Sequence, residues 1–455
     1  MDRAGRRVRL CAAGGRMIRR SIREWERIGF GEGVEEIPDR IASGLAATAA
    51  RSVFAGRGAE GVLEHGRHAL RARGVVGIIS TPDCQLEILP KIEATGEADT
   101  DDATLRRRLV HMLAVAHDLR IDTGSAAQLG WQRDTLLEIL IRIFCGKLID
   151  AVRHGMPRRY IEEEGDLPTL RGRLDVTRQF STLVAQPQKL ACRFDALSPD
   201  IALNQVMKAA VAKLSRLSQA TDNQRSLREL GFAYADIASV PASALRWDRI
   251  TLDRTNGRWR ELVAWARLLL GNRFQQTSAG HVDGHALLFE MNALFEAYVA
   301  RLARRALSGT PLTVSTQGGF AHCLYEGERG RFRTRPDIIL RHEGQPVVVL
   351  DTKWKRIAPR IDDPKQGVSQ ADVYQLMAYS QLYDCDRVIL LYPHHHGLSD
   401  DLIRDAFSVA TPGSRNQLHV ATMDIASGAA AGAIALAGLI RDLLTDGDLL
   451  VPFNR

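Results

Sequence analysis

The segment that most constrains this chain is an apolar run that continues directly into charged residues. Val347–Leu350 has the consecutive aliphatic side chains of a buried strand, and Asp351 and Lys353 follow immediately. Charged side chains in such a setting are costly unless they have partners. We therefore expect a sheet whose central strand carries charges that are paired with other groups.

A second extended segment precedes this strand across the turn His342–Gln345. In a hairpin that is symmetric about Gly344, Asp337 lies opposite Asp351. Side chains alternate between the faces of a strand, so Asp351 and Lys353 point the same way. Because directly opposed residues share a face, Asp337 joins them. The sequence thus predicts two carboxylates and one ammonium group on a single patch of sheet.

Two carboxylates this close repel each other, and a divalent cation resolves the conflict by taking oxygen ligands from both. Bound Mg²⁺ can polarise a phosphodiester and lower the pKa of a coordinated water. Lys353 would then orient that water or stabilise charge that develops on the phosphate. The alternative is a surface hairpin with a salt bridge of little energetic consequence.

Residues on the two flanking helices extend the pattern. Gln375 and Tyr379 are spaced i, i+4, so they project from one helix face. Glu296 lies midway along an apolar helix before the hairpin, where a carboxylate needs a partner. That partner is either the metal site or one of two arginines, Arg301 or Arg304, and the sequence does not decide between them.

The composition is that of a globular protein of the cytoplasm. A chain of 455 residues is too long for one ordinary core, so two or three domains are expected. The net charge of +7 makes nucleic acid a natural partner to consider. The cysteines are far apart and form no CxxC pair, which fits a reducing compartment. The apolar stretch Ile425–Ile440 is shorter than the roughly 20 residues that cross a bilayer, so we expect a packed helix and no membrane partner.

Changes in residue composition and apolar pattern along the chain predict four regions. Residues 1–16 are a disordered extension, with Met17 an alternative start to Met1. Residues 17–100 form a β-rich N-terminal domain, residues 101–284 are mainly helical, and residues 285–455 form an α/β domain. The expected class is α/β, or α+β over the whole chain.

Periodicity and turn signals predict the individual elements. Strands are expected at Gly74–Ile79, Leu86–Leu89, Phe332–Arg341, Pro346–Lys355 and Arg387–Tyr392. Helices are expected at Leu105–Leu119, Leu136–Val152, Ile201–Ser215, Trp259–Leu270, Leu287–Ala306 and Ser369–Tyr383. The stretch Glu162–Arg173 is turn-rich.

Several other motifs carry little weight. No G-x-x-x-x-G-K-[ST] phosphate loop is present, so any nucleotide hydrolysis belongs to another chain. The triple His394–His396 is expected in an exposed loop and not at a metal, because adjacent side chains diverge. Arg171 and Arg173 would bind a phosphate or pair with the acidic run Glu162–Glu164.

The order of the motifs resembles the PD-(D/E)xK nuclease superfamily and, more narrowly, the McrC-like subunits of McrBC-type modification-dependent restriction systems. The core is Asp337, Asp351 and Lys353, preceded by helical Glu296. The other stretches that carry the resemblance are Gly77–Ile79, Leu86–Ile92, Leu170–Asp175, Leu203–Lys208, Met291–Asn292 and Arg335–Asp337.

The resemblance implies a restriction-endonuclease-like C-terminal domain that hydrolyses DNA phosphodiesters with Mg²⁺. Asp337, Asp351 and the Thr352 carbonyl would ligate the metal, and Lys353 would act on the nucleophile or the transition state. The remaining site residues would complete the shell or orient Lys353 and the phosphate; they are Glu296, Gln375 and Tyr379.

The resemblance also implies partners. An AAA+ GTPase hexamer, McrB-like, would bind the GTP and recognise double-stranded DNA that carries modified cytosine. The N-terminal part of this chain would dock on the ring and stimulate GTP hydrolysis. Two other functions remain open from the sequence: a non-cleaving adaptor that activates the GTPase, and a standalone DNA repair nuclease.

Overall fold

The chain divides into two compact units that differ in composition of secondary structure. The computed structural model describes residues 17–52, 54, 62–91, 100–121, 130–254, 256–271, 274–278, 283–318, 321–360, 362–363, 367–399, 401, 403–408 and 416–444. The predicted extension at residues 1–16 lies outside them. Met1–Ala116 and Asn272–Arg455 form the first unit, and His117–Gly271 forms the second. The first unit is therefore built from both ends of the chain, whereas the predicted boundaries were at 100/101 and 284/285.

A five-stranded sheet in the first unit has the order β1-β6-β5-β11-β10. Its strands are β1 (Ile18–Arg23), β5 (Val75–Ser80), β6 (Cys84–Leu89), β10 (Phe274–Ser278) and β11 (Asp283–Glu290). The β1–β6 pair is parallel, and the other neighbouring pairs are antiparallel. Both strands predicted in the N-terminal region are confirmed as β5 and β6.

The helix predicted to begin at Leu287 begins later, as α8 (Met291–Ala306). Residues 287–290 instead complete β11, in which Leu288 pairs with Gly77 of β5. A short apolar run fits a buried strand as well as a buried helix, and pairing with β5 decides between them. The strand leads straight into the helix that carries Glu296.

The pairing of β5 with β11 requires glycine at position 77. The φ angle of Gly77 is +131°, and a Cβ there would lie 2.0 Å from the carbonyl oxygen of Leu287. An L side chain would meet both backbone strain and a main-chain clash. Gly77 thus allows the two strands to approach at this point.

A smaller sheet and one helix complete the N-terminal core. The strands, in the order β2-β4-β3, are β2 (Arg27–Gly29), β3 (Leu63–His65) and β4 (Ala69–Ala72). Helix α1 (Asp39–Ala49) contacts β3, β5 and β11. The buried side chains of this cluster include Ile37, Leu45, Leu70, Leu86 and Leu288.

A six-stranded mixed sheet forms the second half of the first unit, in the order β12-β15-β16-β17-β19-β18. Its strands are β12 (Leu312–Thr316), β15 (Ile338–His342), β16 (Gln345–Thr352), β17 (Arg387–Pro393), β18 (Ile403–Ser408) and β19 (Gln417–Met423). A separate hairpin, β13 (His322–Glu326) and β14 (Arg329–Arg333), precedes β15. The long strand predicted over Phe332–Arg341 is therefore split between two sheets.

Three further helices belong to the first unit. They are α2 (Asp102–Ala116), α9 (Gln370–Leu382) and α10 (Gly428–Leu444). Helices α2 and α10 contact α8, while α9 contacts β16 and β17. The Ser369 hydroxyl caps α9 by accepting from the Asp372 amide at 3.2 Å. Across the described ranges, no helix combines the length and apolar character of a membrane span.

The second unit is mainly helical, with one three-stranded sheet in the order β7-β9-β8. Its helices are α3 (Leu136–Arg153), α4 (Val176–Ser181), α5 (Ala202–Leu217), α6 (Thr221–Ala233) and α7 (Trp259–Leu270), with 3-10 turns at Ala242–Ala244 and Trp247–Arg249. Its strands are β7 (Arg159–Leu167), β8 (Arg173–Leu174) and β9 (Leu190–Ser198). The stretch predicted as turn-rich is thus largely strand.

A buried carboxylate joins two helices of the second unit. Glu138 on α3 is 2% exposed and accepts hydrogen bonds from the Ser218 hydroxyl and the Asn223 amide, both at 2.7 Å. The Ala220 amide, at the start of α6, also donates to it at 3.1 Å. Such partners satisfy a buried charge and complement the helix dipole.

The mixed α/β class predicted from the sequence is confirmed.

Candidate active site

The hairpin that carries the predicted site turns at Glu343 and Gly344. Both residues have positive φ angles, +49° and +87°, which is the geometry of a type I′ turn. His342 therefore pairs with Gln345, and an irregularity between Leu340 and Arg341 then adds one residue to β16. The turn is displaced from the predicted centre, and the bulge corrects the displacement.

Beyond the bulge the strands follow the predicted register. Leu340 pairs with Val348, and Ile338 pairs with Leu350. The next position along places Asp337 across from Asp351. Strand pairing and alternation thus bring the two carboxylates to the same end of the hairpin.

Asp337 and Asp351 are held by different contacts. The Oδ2 atom of Asp337 accepts from the main-chain amide and the hydroxyl of Thr352, both at 2.7 Å. The Oδ2 atom of Asp351 lies 2.7 Å from Nζ of Lys353. Among the described residues, Oδ1 of each carboxylate accepts no hydrogen bond, so one oxygen of each remains for a ligand.

The ammonium group of Lys353 meets three acceptors. Besides Asp351, these are Oε1 of Gln375 at 3.2 Å and Oδ1 of Asp372 at 3.4 Å. The three donors of the ammonium group thus have three oxygen atoms around them, one by hydrogen bond and two by ion pair. Asp372 was not predicted, although it lies one helical turn before Gln375 and hence on the same face of α9.

Gln375 and Tyr379 form the next link from Lys353. Nε2 of Gln375 donates to the Tyr379 hydroxyl at 2.7 Å, while Oε1 of the same amide accepts from Lys353. Tyr379 is 4% exposed. The predicted i, i+4 pair is therefore in one chain of hydrogen bonds with Lys353.

Glu296 lies near the two aspartates but has a partner of its own. Nε2 of Gln317 donates to its Oε1 atom at 2.9 Å. Of the two arginines considered as alternatives, Arg304 donates to the hydroxyl of Thr316 at 2.8 Å. Gln317 was not predicted, because it lies in a loop with no periodic signal.

Burial sets the electrostatics of the site. It raises the pKa of Asp351 to about 6, and the charge of Asp337 adds to the effect. Burial likewise raises the pKa of Asp337 and of Glu296. For Lys353, burial lowers the pKa, but the hydrogen bond and charge of Asp351 outweigh it and the net shift is upward. The site therefore holds more negative charge than the protein alone accommodates well.

The donor set fits Mg²⁺. Mg²⁺ takes hard oxygen ligands and keeps several waters, so one or two protein carboxylates suffice. Asp337 and Asp351 supply these, and both would gain from a neighbouring cation. In the part of the chain that the structure describes, no three His, Cys, Asp or Glu side chains form a metal-binding group. The charges of Asp337 and Asp351 contribute to the raised pKa of Glu296, but its carboxylate is not close enough to form a three-residue metal-binding group with them.

Two other predicted motifs have defined surroundings. The expectation that His394 and His395 lie in an exposed loop is wrong, since they are 8% and 6% exposed. His394 Nδ1 lies 2.9 Å from the Thr422 hydroxyl, which gives it a buried partner. Arg173 forms an ion pair with Glu162, which favours the pairing alternative for that residue.

Comparison with known proteins places the chain. Residues 70–393 match the family of McrBC 5-methylcytosine restriction system components. The chain is 20% identical over 299 residues to the Type IV methyl-directed restriction enzyme EcoKMcrBC of Escherichia coli (strain K12), covering 63% of this chain and 85% of that relative.

Solved structures share the fold. A chain from an assembly of Thermococcus gammatolerans McrB AAA+ hexamers with bound McrC matches with a TM-score of 0.70 and 21% identity, over 94% of this chain and 100% of that chain. A chain of the Thermococcus gammatolerans McrBC complex matches with a TM-score of 0.50 and 22% identity, over 64% of this chain and 88% of that one.

The fold and these matches define a mixed α/β component of a restriction system. More narrowly, the chain belongs to the family of McrBC 5-methylcytosine restriction system components, since the match spans well over half its length. Its predicted resemblance to McrC-like subunits is confirmed.

Proposed function

We propose that this chain is the Mg²⁺-dependent DNA endonuclease subunit of a modification-dependent restriction system. The observation that carries the proposal is the partly buried cluster of Asp337, Asp351 and Lys353 at the end of the β15–β16 hairpin. A cluster with one open oxygen on each carboxylate and an upward pKa shift on both is suited to a divalent cation.

The residues of the site have separate roles in this proposal. Asp337 and Asp351, with the Thr352 carbonyl, would hold Mg²⁺, which when bound polarises the phosphodiester and lowers the pKa of a coordinated water. Thr352 fixes Asp337 through its amide and hydroxyl. Lys353 places a positive charge beside the scissile phosphate, where charge develops in the transition state.

A second set of residues positions Lys353. Gln375 accepts a hydrogen bond from its ammonium group, and Asp372 forms an ion pair with it. Tyr379 does not contact Lys353, but its hydroxyl accepts a hydrogen bond from the Gln375 amide. Glu296 stands beside the aspartates with a raised pKa, so it can exchange a proton or contact a metal-bound water. Each role follows from the contact that the side chain makes.

The partners follow from the family. The relatives include a methyl-directed restriction enzyme and a McrC bound to McrB AAA+ hexamers. We infer that this chain works with an AAA+ GTPase hexamer that binds GTP, and that its substrate is double-stranded DNA carrying modified cytosine. This chain has no phosphate loop of its own, so the GTP chemistry would reside in the partner.

The test uses purified chain, its GTPase partner, GTP, Mg²⁺ and modified DNA. Asp351→Ala should abolish cleavage while stimulation of GTP hydrolysis persists, because the substitution removes a metal ligand and leaves the rest of the chain. Asp362→Ala is the matched control, since Asp362 is an exposed aspartate that forms a surface ion pair with Arg360. Gel analysis of DNA and phosphate release measure the two activities.

Three outcomes would contradict the proposal. Unchanged cleavage by the Asp351→Ala chain would show that the site is assigned wrongly. Absence of cleavage by the unmodified chain with partner and GTP would favour the adaptor function. Full cleavage without partner or GTP would favour a standalone nuclease.

A further inference from the structure

The first unit contains a cavity of about 280 Å³. Its walls come from the segments that follow four strands, β1, β6, β16 and β17. The β1–β6 and β16–β17 pairs are parallel, so the cavity lies at the carboxyl ends of two parallel pairs. Crevices at such ends are where open α/β sheets bind ligands.

A buried carboxylate, that of Glu24, lines this cavity, and one of its oxygen atoms has no hydrogen-bond partner. Glu24 is 1% exposed, and its Oε1 atom accepts from the Lys91 amide at 3.0 Å and from Nε1 of Trp354 at 2.7 Å. Its Oε2 atom is buried and has no hydrogen-bond partner. An unused buried acceptor costs free energy, and a ligand with an N–H group would supply the missing bond.

Two tryptophans line the same cavity. Trp354 is held by Glu24 and by the Asn292 side chain, which accepts from its main-chain amide at 3.2 Å. Trp25 is 44% exposed and has a φ angle of +66°, a conformation that L residues other than Asn or Asp rarely adopt. A large aromatic ring that is exposed and attached to a strained backbone indicates a binding surface.

Three cationic residues contribute to the walls of the cavity. Lys91, Lys355 and Arg356 line the cavity along with the two tryptophans. One carboxylate among three cations is a poor site for a free divalent cation, and the carboxylate disfavours an acidic peptide. A ligand that fits all the walls has a flat ring, an N–H donor on its edge and a phosphate attached. Those are the features of a nucleotide.

We propose that this cavity receives one nucleobase with an exocyclic amino group from the DNA strand that is cut. The proposal rests on the proposed nuclease function for the identity of the strand. The amino group donates to Oε2 of Glu24, the base contacts Trp25 and Trp354, and the cations hold the flanking phosphates. Nζ of Lys355, a residue of the cavity wall, lies 3.6 Å from Asp372, and Asp372 lies 3.4 Å from Nζ of Lys353, so the bound base lies close to the cleaved phosphodiester.

The test measures binding of short labelled single strands by fluorescence anisotropy in EDTA, where no cleavage occurs. The unmodified chain should bind oligo(dC) more tightly than oligo(dT), because thymine lacks the amino group. Glu24→Gln keeps the shape but replaces Oε2 or Oε1 by a donor, so the preference should shrink by about fivefold or more, or reverse. Trp25→Ala should weaken binding of both strands by about fivefold or more.

Matched controls are Glu35→Gln and Phe232→Ala, an exposed glutamate and an exposed aromatic away from the cavity. Both should bind like the unmodified chain. Unchanged base preference and unchanged affinity in the Glu24 and Trp25 variants would overturn the proposal. If Glu24→Gln does not fold, Trp25→Ala alone decides, since that side chain is on the surface.

Competition separates the two sources of the base. Free dCMP should compete far more weakly than the strand, because it lacks the flanking phosphates. Equal competition would overturn the assignment to a DNA strand and make the occupant a free nucleotide. Loss of the nuclease proposal would leave the base preference in EDTA intact, so the two failures are distinguishable.

Discussion

At the scale of single residues, the site is a balance of charges that the fold does not neutralise by itself. Asp337 and Asp351 both have raised pKa values, and Lys353 is in direct contact with Asp351. Three oxygen atoms surround the ammonium group. Substitutions at this scale should therefore separate charge, position and stability.

Asp351 should make the metal-free protein less stable as the pH rises. Its pKa is raised from 3.8 to about 6. Its contribution to the free energy of unfolding is therefore greatest below pH 4 and is lost as the pH rises through 6. In EDTA, Asp351→Asn should be more stable than the unmodified chain at pH 8, by up to about 3 kcal/mol. Urea unfolding at pH 5 and pH 8 measures the difference. A difference that does not grow with pH would contradict the assignment.

Lys353 and Asp372 should differ in the size of their effects. Lys353→Met removes the charge beside the phosphate and should lower the cleavage rate about 10²- to 10³-fold. Asp372→Asn only loosens the lysine, so a loss on the order of tenfold is expected. Single-turnover cleavage measures both, with Asp362→Asn as the exposed control. Equal losses in the two variants would mean that Asp372 does more than position Lys353.

At the scale of elements, the sequence predicted those whose pattern is local. The hairpin register follows from side-chain alternation and from the turn at Gly344. The bulge that compensates for the displaced turn has no signal in the local sequence. β7 was not predicted because three consecutive glutamates in its middle interrupt the apolar alternation of its sequence. Residues 287–290 of β11 have an apolar pattern that also fits a helix, and only their distant partner β5 defines them as strand. The role of Gln317 likewise depends on a tertiary neighbour, Glu296, that no local pattern indicates.

Gly77 is the element-scale position most sensitive to substitution. Gly77→Ala would place a methyl group against the Leu287 carbonyl in a strained conformation, so a loss of about 3 kcal/mol is expected. Gly146→Ala, in the open middle of α3, should instead stabilise by about 0.5–1 kcal/mol. Urea unfolding midpoints compare the two. A tolerated alanine at position 77 would show that β5 and β11 can separate at that point.

At the scale of the whole molecule, metal binding should increase the stability of one unit only. The carboxylates lie in the first unit, so Mg²⁺ at 100 times its Kd should stabilise that unit by about 2.7 kcal/mol. Amide hydrogen exchange should show added protection around residues 337–353 and none that depends on Mg²⁺ in His117–Gly271. The Asp351→Asn chain should show neither change. Equal protection throughout would mean that the ion acts elsewhere.

The two ends of the chain meet in one sheet, and this has a consequence for synthesis. β5 emerges from the ribosome long before β11, its neighbour in the sheet, and the whole of the second unit is translated between them. During that interval an apolar strand edge has no partner, which is a hazard for self-association. A fragment that contains β10 and β11 would carry the complementary edge. We therefore expect an N-terminal fragment that lacks these strands to self-associate more than the full chain.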